Sequence, residues 1–240
     1  MKHAELTRFA SDSELAHAVV AEWLGAIEIA GRSGTPHYAA LSGGRIARKI
    51  FSTVAEQARA SRISLSSVHF FWADERCVRP DDPESNFGLA RELLLAPLQI
   101  PEDRIHRIQG EESPALGAAK AEAEMCRFAP LNCDGQPVLD LILLGMGEDG
   151  HVASLFPGEP TSVVADPVVY RGVTASKPPP QRITMGYMAV AAAQQVWVLA
   201  SGPSKEAALR KSLSPMGQTP LARVLKSRAH TRIFTDIKAG

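Results

Sequence analysis

The chain has 240 residues, 45% of them hydrophobic and 22% charged, which suits one large or two small soluble domains with a sizeable core. Its 26 Lys and Arg balance 26 Asp and Glu, so no net field draws the molecule to nucleic acid or to a membrane surface, and an anionic partner has to be met by a local cluster. Cys77, Cys126 and Cys133 are an odd number at unrelated spacings, which fits neither a disulfide framework nor a zinc site and points to the reducing cytoplasm. The opening "MKHAELTRFASDSEL" lacks the apolar core of a signal peptide, and no stretch approaches ~18 uninterrupted apolar residues.

From Ser11 to Ala30, Ala16, Val19, Val20, Trp23, Leu24 and Ile27 recur at spacings of three and four, which predicts an amphipathic helix behind a serine cap. "TPHYAALSGG" reads as a strand stopping on two glycines, and "RIARKIFSTVAEQARA" as the helix that follows. "SSVHFFWADERCV" reads as a second strand ending in charge. The turn-rich "RPDDPESNFG" then leads into a helix "LARELLL", and the segment 101–110 is ambiguous. Residues 113–128 read as a helix with Leu116, Ala119, Ala123 and Phe128 inward. "PVLDLILLG" is almost unbroken in its apolar character, as suits a strand covered on both faces. "DPVVYRGVTAS" follows as a strand, "KPPPQRITM" as a stiff connector and "QQVWVLASG" as a central strand. "PSKEAALRKSL" and "PLARVLKS" are helices, the first with Pro203 in its opening turn, and "HTRIFTD" is a closing strand. This alternation implies an α/β fold with a doubly wound, mostly parallel sheet and helices on both faces. With no repeat, linker or low-complexity tract, residues 1–240 are expected to form a single domain.

In such sheets ligands sit beyond the carboxyl ends of the strands, and four of these ends carry chemistry. In "LSGGRIARK", a strand turning through Gly43 and Gly44 into a helix offers unpaired N–H groups to a phosphate, with Ser42 and Arg45 as further donors; a plain tight turn is the bland alternative. In "WADERC", Asp74, Glu75 and Arg76 are either a solvated strand exit or a set that holds hydroxyls, a water and an anion, with Cys77 as packing. In "DLILLGMGEDGHVASLFPG", Gly145 to Gly150 match G-x-G-x-x-G, but Pro157 stops any long helix, which argues against a dinucleotide turn. The glycines instead fold the backbone around Asp149 and His151. A histidine can move a proton near neutral pH, although a lone loop histidine is often mere packing. In "SKPPPQRI", three prolines stiffen a segment that displays Lys177 and Arg182, either as a phosphate clamp or as two solvated cations.

"LSGG", "FFWADERCVRPDDPESNFGLARELLL", "DLILLGMGEDGHVASLFPG" and "SKPPPQRITM", in this order and spacing, resemble the 6-phosphogluconolactonases. The resemblance covers roughly Leu41 to Ser212. It implies a fold shared with glucosamine-6-phosphate deaminases, and hydrolysis of 6-phospho-D-glucono-1,5-lactone to 6-phosphogluconate with no organic cofactor; separately, no ligand cluster in the sequence requires a metal, although carboxylates near Asp74 could hold one adventitiously. It also implies His151 as the catalytic residue, Ser42, Gly43, Gly44, Lys177 and Arg182 as the phosphate site, and Asp74, Glu75, Arg76 and Asn86 along the substrate cleft. The family usually follows SGG with small residues; here Arg45 follows, pointing either into the site or outward.

The mechanism expected is general-base hydrolysis by His151, oriented by Asp149, with Arg76 or loop N–H groups meeting the oxyanion. The expected partner is a small sugar-phosphate lactone, not nucleic acid or membrane, with the protein a monomer or homodimer. Two rivals stand beside this reading. The deaminases carry a glutamate five residues after the histidine, where this chain has Phe156. A non-catalytic phosphosugar sensor would need no Asp149 or His151 and would normally carry a DNA-binding module.

Overall fold

β1 (Ala4–Arg8) pairs at the margin of the main sheet, and the residues described by the structure, a computed structural model, run from 4 to 237. The ends of the expected 1–240 domain, residues 1–3 and 238–240, lie outside them. The sequence reading passes over β1 because "AELTR" is half-exposed and charged, with only one neighbour, β9, to define it.

α1 (Asp12–Arg32) is capped by Ser11, whose hydroxyl accepts the Glu14 N–H, and it buries Leu15, Ala16, Val19, Val20, Trp23, Leu24 and Ile27. Each large apolar side chain so buried contributes roughly 1.5–3 kcal/mol. β2 (His37–Leu41) and α2 (Arg45–Ser61) follow, and α2 packs against α1. β3 (Val68–Trp72), β5 (Leu141–Gly145), β8 (Gln195–Ala200) and β9 (Thr231–Thr235) complete six parallel strands in the order β1-β9-β8-β5-β2-β3. β3 is buried throughout and β5 nearly so, which requires cover on both faces. The order reverses between β2 and β5, whose carboxyl ends therefore flank a crevice.

The expected single strand "SSVHFFWADERCV" breaks at Ala73. Its N–H donates to the Leu41 carbonyl, and its own carbonyl accepts from Met185 N–H. The chain thereby leaves the parallel sheet and forms β4 (Asp74–Arg76) in a second, antiparallel sheet ordered β4-β7-β6. β6 is Tyr170–Thr174 and β7 is Gln181–Met185. The expected connector "KPPPQRITM" is thus half hairpin loop and half strand.

α3 (Asn86–Ala90) runs on into a π-helical turn, Arg91–Leu95, and the ambiguous segment lies along β3, where Ile105 bridges Phe70. α4 (Pro114–Phe128) buries Gly117, Ala118, Ala121 and Met125, while Leu116 is 45% exposed. Its face is rotated from the expected one because so many alanines leave the apolar stripe poorly defined. α5 (Tyr187–Ala192), α6 (Glu206–Leu213) and α7 (Pro220–Ser227) complete the helices.

Candidate active site

The crevice between β2 and β5 opens into a small cleft of about 100 Å³. Ser42, Gly43, Gly44, Arg45, Asp74, Arg76, Asn86, His151 and Arg182 all line it, so residues spread over most of the chain meet in one place.

The floor is the turn from β2 into α2. Gly44 is the N-cap residue, and no side chain caps the first-turn N–H groups of α2, which face outward at the positive end of the helix. The Ser42 hydroxyl is buried and has no hydrogen-bond partner among the described residues. A buried orphan donor beside free N–H groups is the arrangement an anion completes. Gly43 is needed because a Cβ there would run into the Asn86 carboxamide. Arg45 turns toward the site, where Nη2 donates to the Ser201 carbonyl at 3.2 Å.

One wall comes from the small sheet. Strand alternation turns Asp74 and Arg76 toward the cleft and Glu75 away from it. Asp74 accepts from Ser154 Oγ at 2.8 Å and from Asn86 Nδ2 at 3.3 Å. Arg76 and Arg182 are register partners across β4 and β7. Arg182 is 8% exposed, and burial, then the neighbouring Arg76 charge, push its pKa below the usual guanidinium value. Arg76 Nε is buried without a partner among the described residues. Arg76 Nη1 also lies 3.6 Å from Glu84 Oε2, and the two neighbouring guanidiniums make this wall of the cleft suited to anionic groups.

The opposite side is the loop after β5. Gly147 N–H donates to the His151 carbonyl at 2.9 Å, and a Cβ on Gly147 would occupy the imidazole's place. His151 Nδ1 lies 2.6 Å from Asp149 Oδ1, which also accepts the His151 backbone N–H at 3.1 Å. A carboxylate only accepts, so Nδ1 carries the proton and Nε2 is left as the basic nitrogen. Burial works to raise the Asp149 carboxyl, but the His151 N–H and the imidazole outweigh it and hold the carboxyl below its ordinary range. The His151 ring rests on Phe156, with centroids 5.2 Å apart, and the Arg182 guanidinium lies 5.7 Å from the centroid of the Phe156 ring.

Two expected residues are placed elsewhere. Glu75 is 2% exposed and bonded entirely within the protein, and burial pushes its carboxyl up to about 7 although three backbone N–H groups pull the other way. Lys177 is exposed at the tip of the β6–β7 hairpin and does not line the cleft; Arg182 does, because it belongs to the strand and not to the loop.

The cation that sequence reasoning missed is Lys205, in the turn Pro203–Lys205 after β8. Burial first, and the Arg45 charge second, lower its pKa. The available signal was "ASGPSK", a further strand ending in glycine and a helical turn at the same edge of the sheet. Ser154, which holds Asp74, was also missed, inside a run of small residues that gave no hint of it.

The sequence profile described as glucosamine-6-phosphate isomerases/6-phosphogluconolactonase matches residues 10–233. A 6-phosphogluconolactonase of Haemophilus influenzae is 43% identical over 122 residues, which are 51% of this chain and 50% of that one. The chain thus spans about half the length of the first curated relatives it matches. A 6-phosphogluconolactonase of Synechocystis sp. is 36% identical over 204 residues, 84% of this chain and 82% of that one. The solved structure of the 6-phosphogluconolactonase from Trypanosoma brucei aligns with a TM-score of 0.83 at 27% identity, covering 98% of this chain and 97% of that one.

Proposed function

Since the chain belongs to the glucosamine-6-phosphate isomerase/6-phosphogluconolactonase family, we propose that it hydrolyses 6-phospho-D-glucono-1,5-lactone to 6-phospho-D-gluconate, the second step of the oxidative pentose phosphate pathway. The observation that carries this reading is the Asp149–His151 pair facing Arg45, Arg76, Arg182 and Lys205 across a single cleft.

The phosphate lies over the Ser42–Gly44 turn, taking the free N–H groups of α2, the unpaired Ser42 hydroxyl and the charges of Arg45, Arg182 and Lys205. Anchored there, the lactone carbonyl is held near His151, which replaces diffusive encounter with fixed positioning. Nε2 takes a proton from water as its oxygen bonds to the carbonyl carbon. The resulting imidazolium, steadied by Asp149, then protonates the departing ring oxygen as its bond to that carbon breaks. Arg76 meets the oxyanion, a role typically worth about 3 kcal/mol. Neither metal nor organic cofactor enters these steps. Phe156, packed on His151, occupies the place where a deaminase would need a carboxylate.

The protein acts as one domain spanning 1–240, a reading supported by a continuous apolar core among the described residues. It works in the cytoplasm as a monomer or homodimer, consistent with its three free cysteines. No described helix is long and apolar enough to cross a membrane. The deciding experiment follows freshly generated 6-phosphogluconolactone at neutral pH against its spontaneous hydrolysis. Acceleration over background is expected; a rate equal to background, or ammonia released from glucosamine 6-phosphate, overturns the reading.

A further inference from the structure

Glu75 lies beside the cleft, yet no step of the proposed chemistry uses it. Its carboxylate ends at the start of α3, where four donors converge on it. Oε1 accepts the N–H of Arg76 at 2.8 Å and of Asn86 at 2.7 Å. Oε2 accepts the Phe87 N–H at 2.7 Å and the Ser85 hydroxyl at 3.2 Å. The first N–H groups of a helix have no partner within it, and a carboxylate delivered from another element satisfies them and suits the sign of the local dipole.

The groups fastened in this way are those that shape the cleft. Asn86 Nδ2 donates to the Asp74 carbonyl at 2.9 Å, and its amide sits where Gly43 leaves room for it. Arg76 Nη1 donates to the Glu84 carbonyl at 2.6 Å, in the segment just before the anchored helix start. We infer that Glu75 is a positioning residue: through Asn86, its carboxylate sets the spacing between the phosphate turn and the guanidinium wall without touching substrate.

This inference rests on the cleft being the phosphosugar site, and a double-mutant cycle in the full chain tests it. Glu75→Gln, Asn86→Ala and the pair are compared by kcat and KM for the lactone and by calorimetric affinity for 6-phosphogluconate. Glutamine keeps the shape but turns an NH2 group toward N–H donors. Glu75→Gln is expected to raise KM and the product Kd about tenfold. It should leave kcat within about threefold, because the His151 pair that moves the proton is untouched. In the Asn86→Ala background the same substitution should change KM by about twofold or less, because residues acting as a unit are not additive. A tenfold loss that persists in that background, an unchanged KM, or a fall confined to kcat overturns the inference. Should Glu75→Gln not fold, Glu75→Asp keeps the charge but draws the carboxylate back from the Asn86 and Phe87 N–H groups and is expected to raise KM about two- to threefold at constant kcat; no change in KM overturns the inference. If the wild type leaves the lactone at its background rate, the functional reading fails, and the 6-phosphogluconate affinities alone still decide the role of Glu75.

Discussion

The two ends of the parallel sheet treat polar groups in opposite ways. At the carboxyl ends, Ser42 Oγ and Arg76 Nε are buried without partners among the described residues, and Arg182 and Lys205 are held below their ordinary pKa values. At the amino end of β3, buried polar groups are joined in sequence, although Thr231 Oγ1 at the start of β9 has no partner among the described residues. Arg104 Nη1 meets His69 Nε2 at 2.7 Å, His69 Nδ1 meets His106 Nε2 at 2.9 Å, and His106 Nδ1 meets Glu124 Oε1 at 2.9 Å. Arginine can only donate and a carboxylate can only accept, so this chain has one direction and both histidines are neutral in it. His37, at the start of β2, accepts the Trp23 indole N–H at 3.2 Å and is likewise neutral there. Polar groups left open mark where a ligand completes the structure; those closed on one another mark where the fold completes itself.

If that contrast holds, substitutions at one end change catalysis and those at the other change stability. The largest effect is expected from His151→Asn, which should lower kcat by about 10²–10⁴-fold and leave the thermal midpoint nearly unchanged; retention of most activity would remove His151 as the base. Next comes a paired comparison of cations: Lys205→Ala should raise KM about 10- to 100-fold, the worth of one charged hydrogen bond, while Lys177→Ala should stay within about twofold. The reverse ranking would return the phosphate clamp to the hairpin tip. His69→Ala strands Arg104 and His106 and should cost roughly 1–3 kcal/mol in urea unfolding, with kcat/KM unaltered. The gentlest probe is pH. Burial, then the Arg104 charge, lower His69 from 6.5 to about 4, and burial lowers His37 and His106. The unfolded chain therefore binds protons that the folded chain refuses. Their contribution to stability should be complete above pH 6.5 and fall as the pH drops toward 4. Glu75, pushed up to about 7 by burial, takes a proton in the fold over the same range and opposes it. Chemical denaturation of wild type and His69→Ala at pH 7 and pH 5 isolates the histidine part, and the fall should be larger in the wild type. An equal change in the two proteins would mean that His69 is charged in the fold.

The carboxyl-end loops were readable because each couples an apolar strand to glycine and then to charge, and a parallel sheet delivers all such loops to one edge. Ser42, Gly43, Asp149 and His151 could be placed from the sequence for that reason. The antiparallel sheet was not legible. β4 is three residues long and shows no period, and β7 follows three prolines, which read as a linker. Consequently the sequence couples Arg182 to Lys177, with which it shares a segment but not a surface. Glu75 was legible as charge and misleading as function, since only tertiary structure shows that a carboxylate amid two cleft residues faces the other way. Lys205 was hidden by its neighbours, because a single lysine at the start of an amphipathic helix looks like ordinary solvent-facing charge.

Ala73 donates to one sheet and accepts from the other through a single peptide unit on each side. That one residue therefore fixes how far the end of β2 stands from the strands that carry Arg76 and Arg182, and a change of backbone at Ala73 would be felt on both walls of the cleft at once.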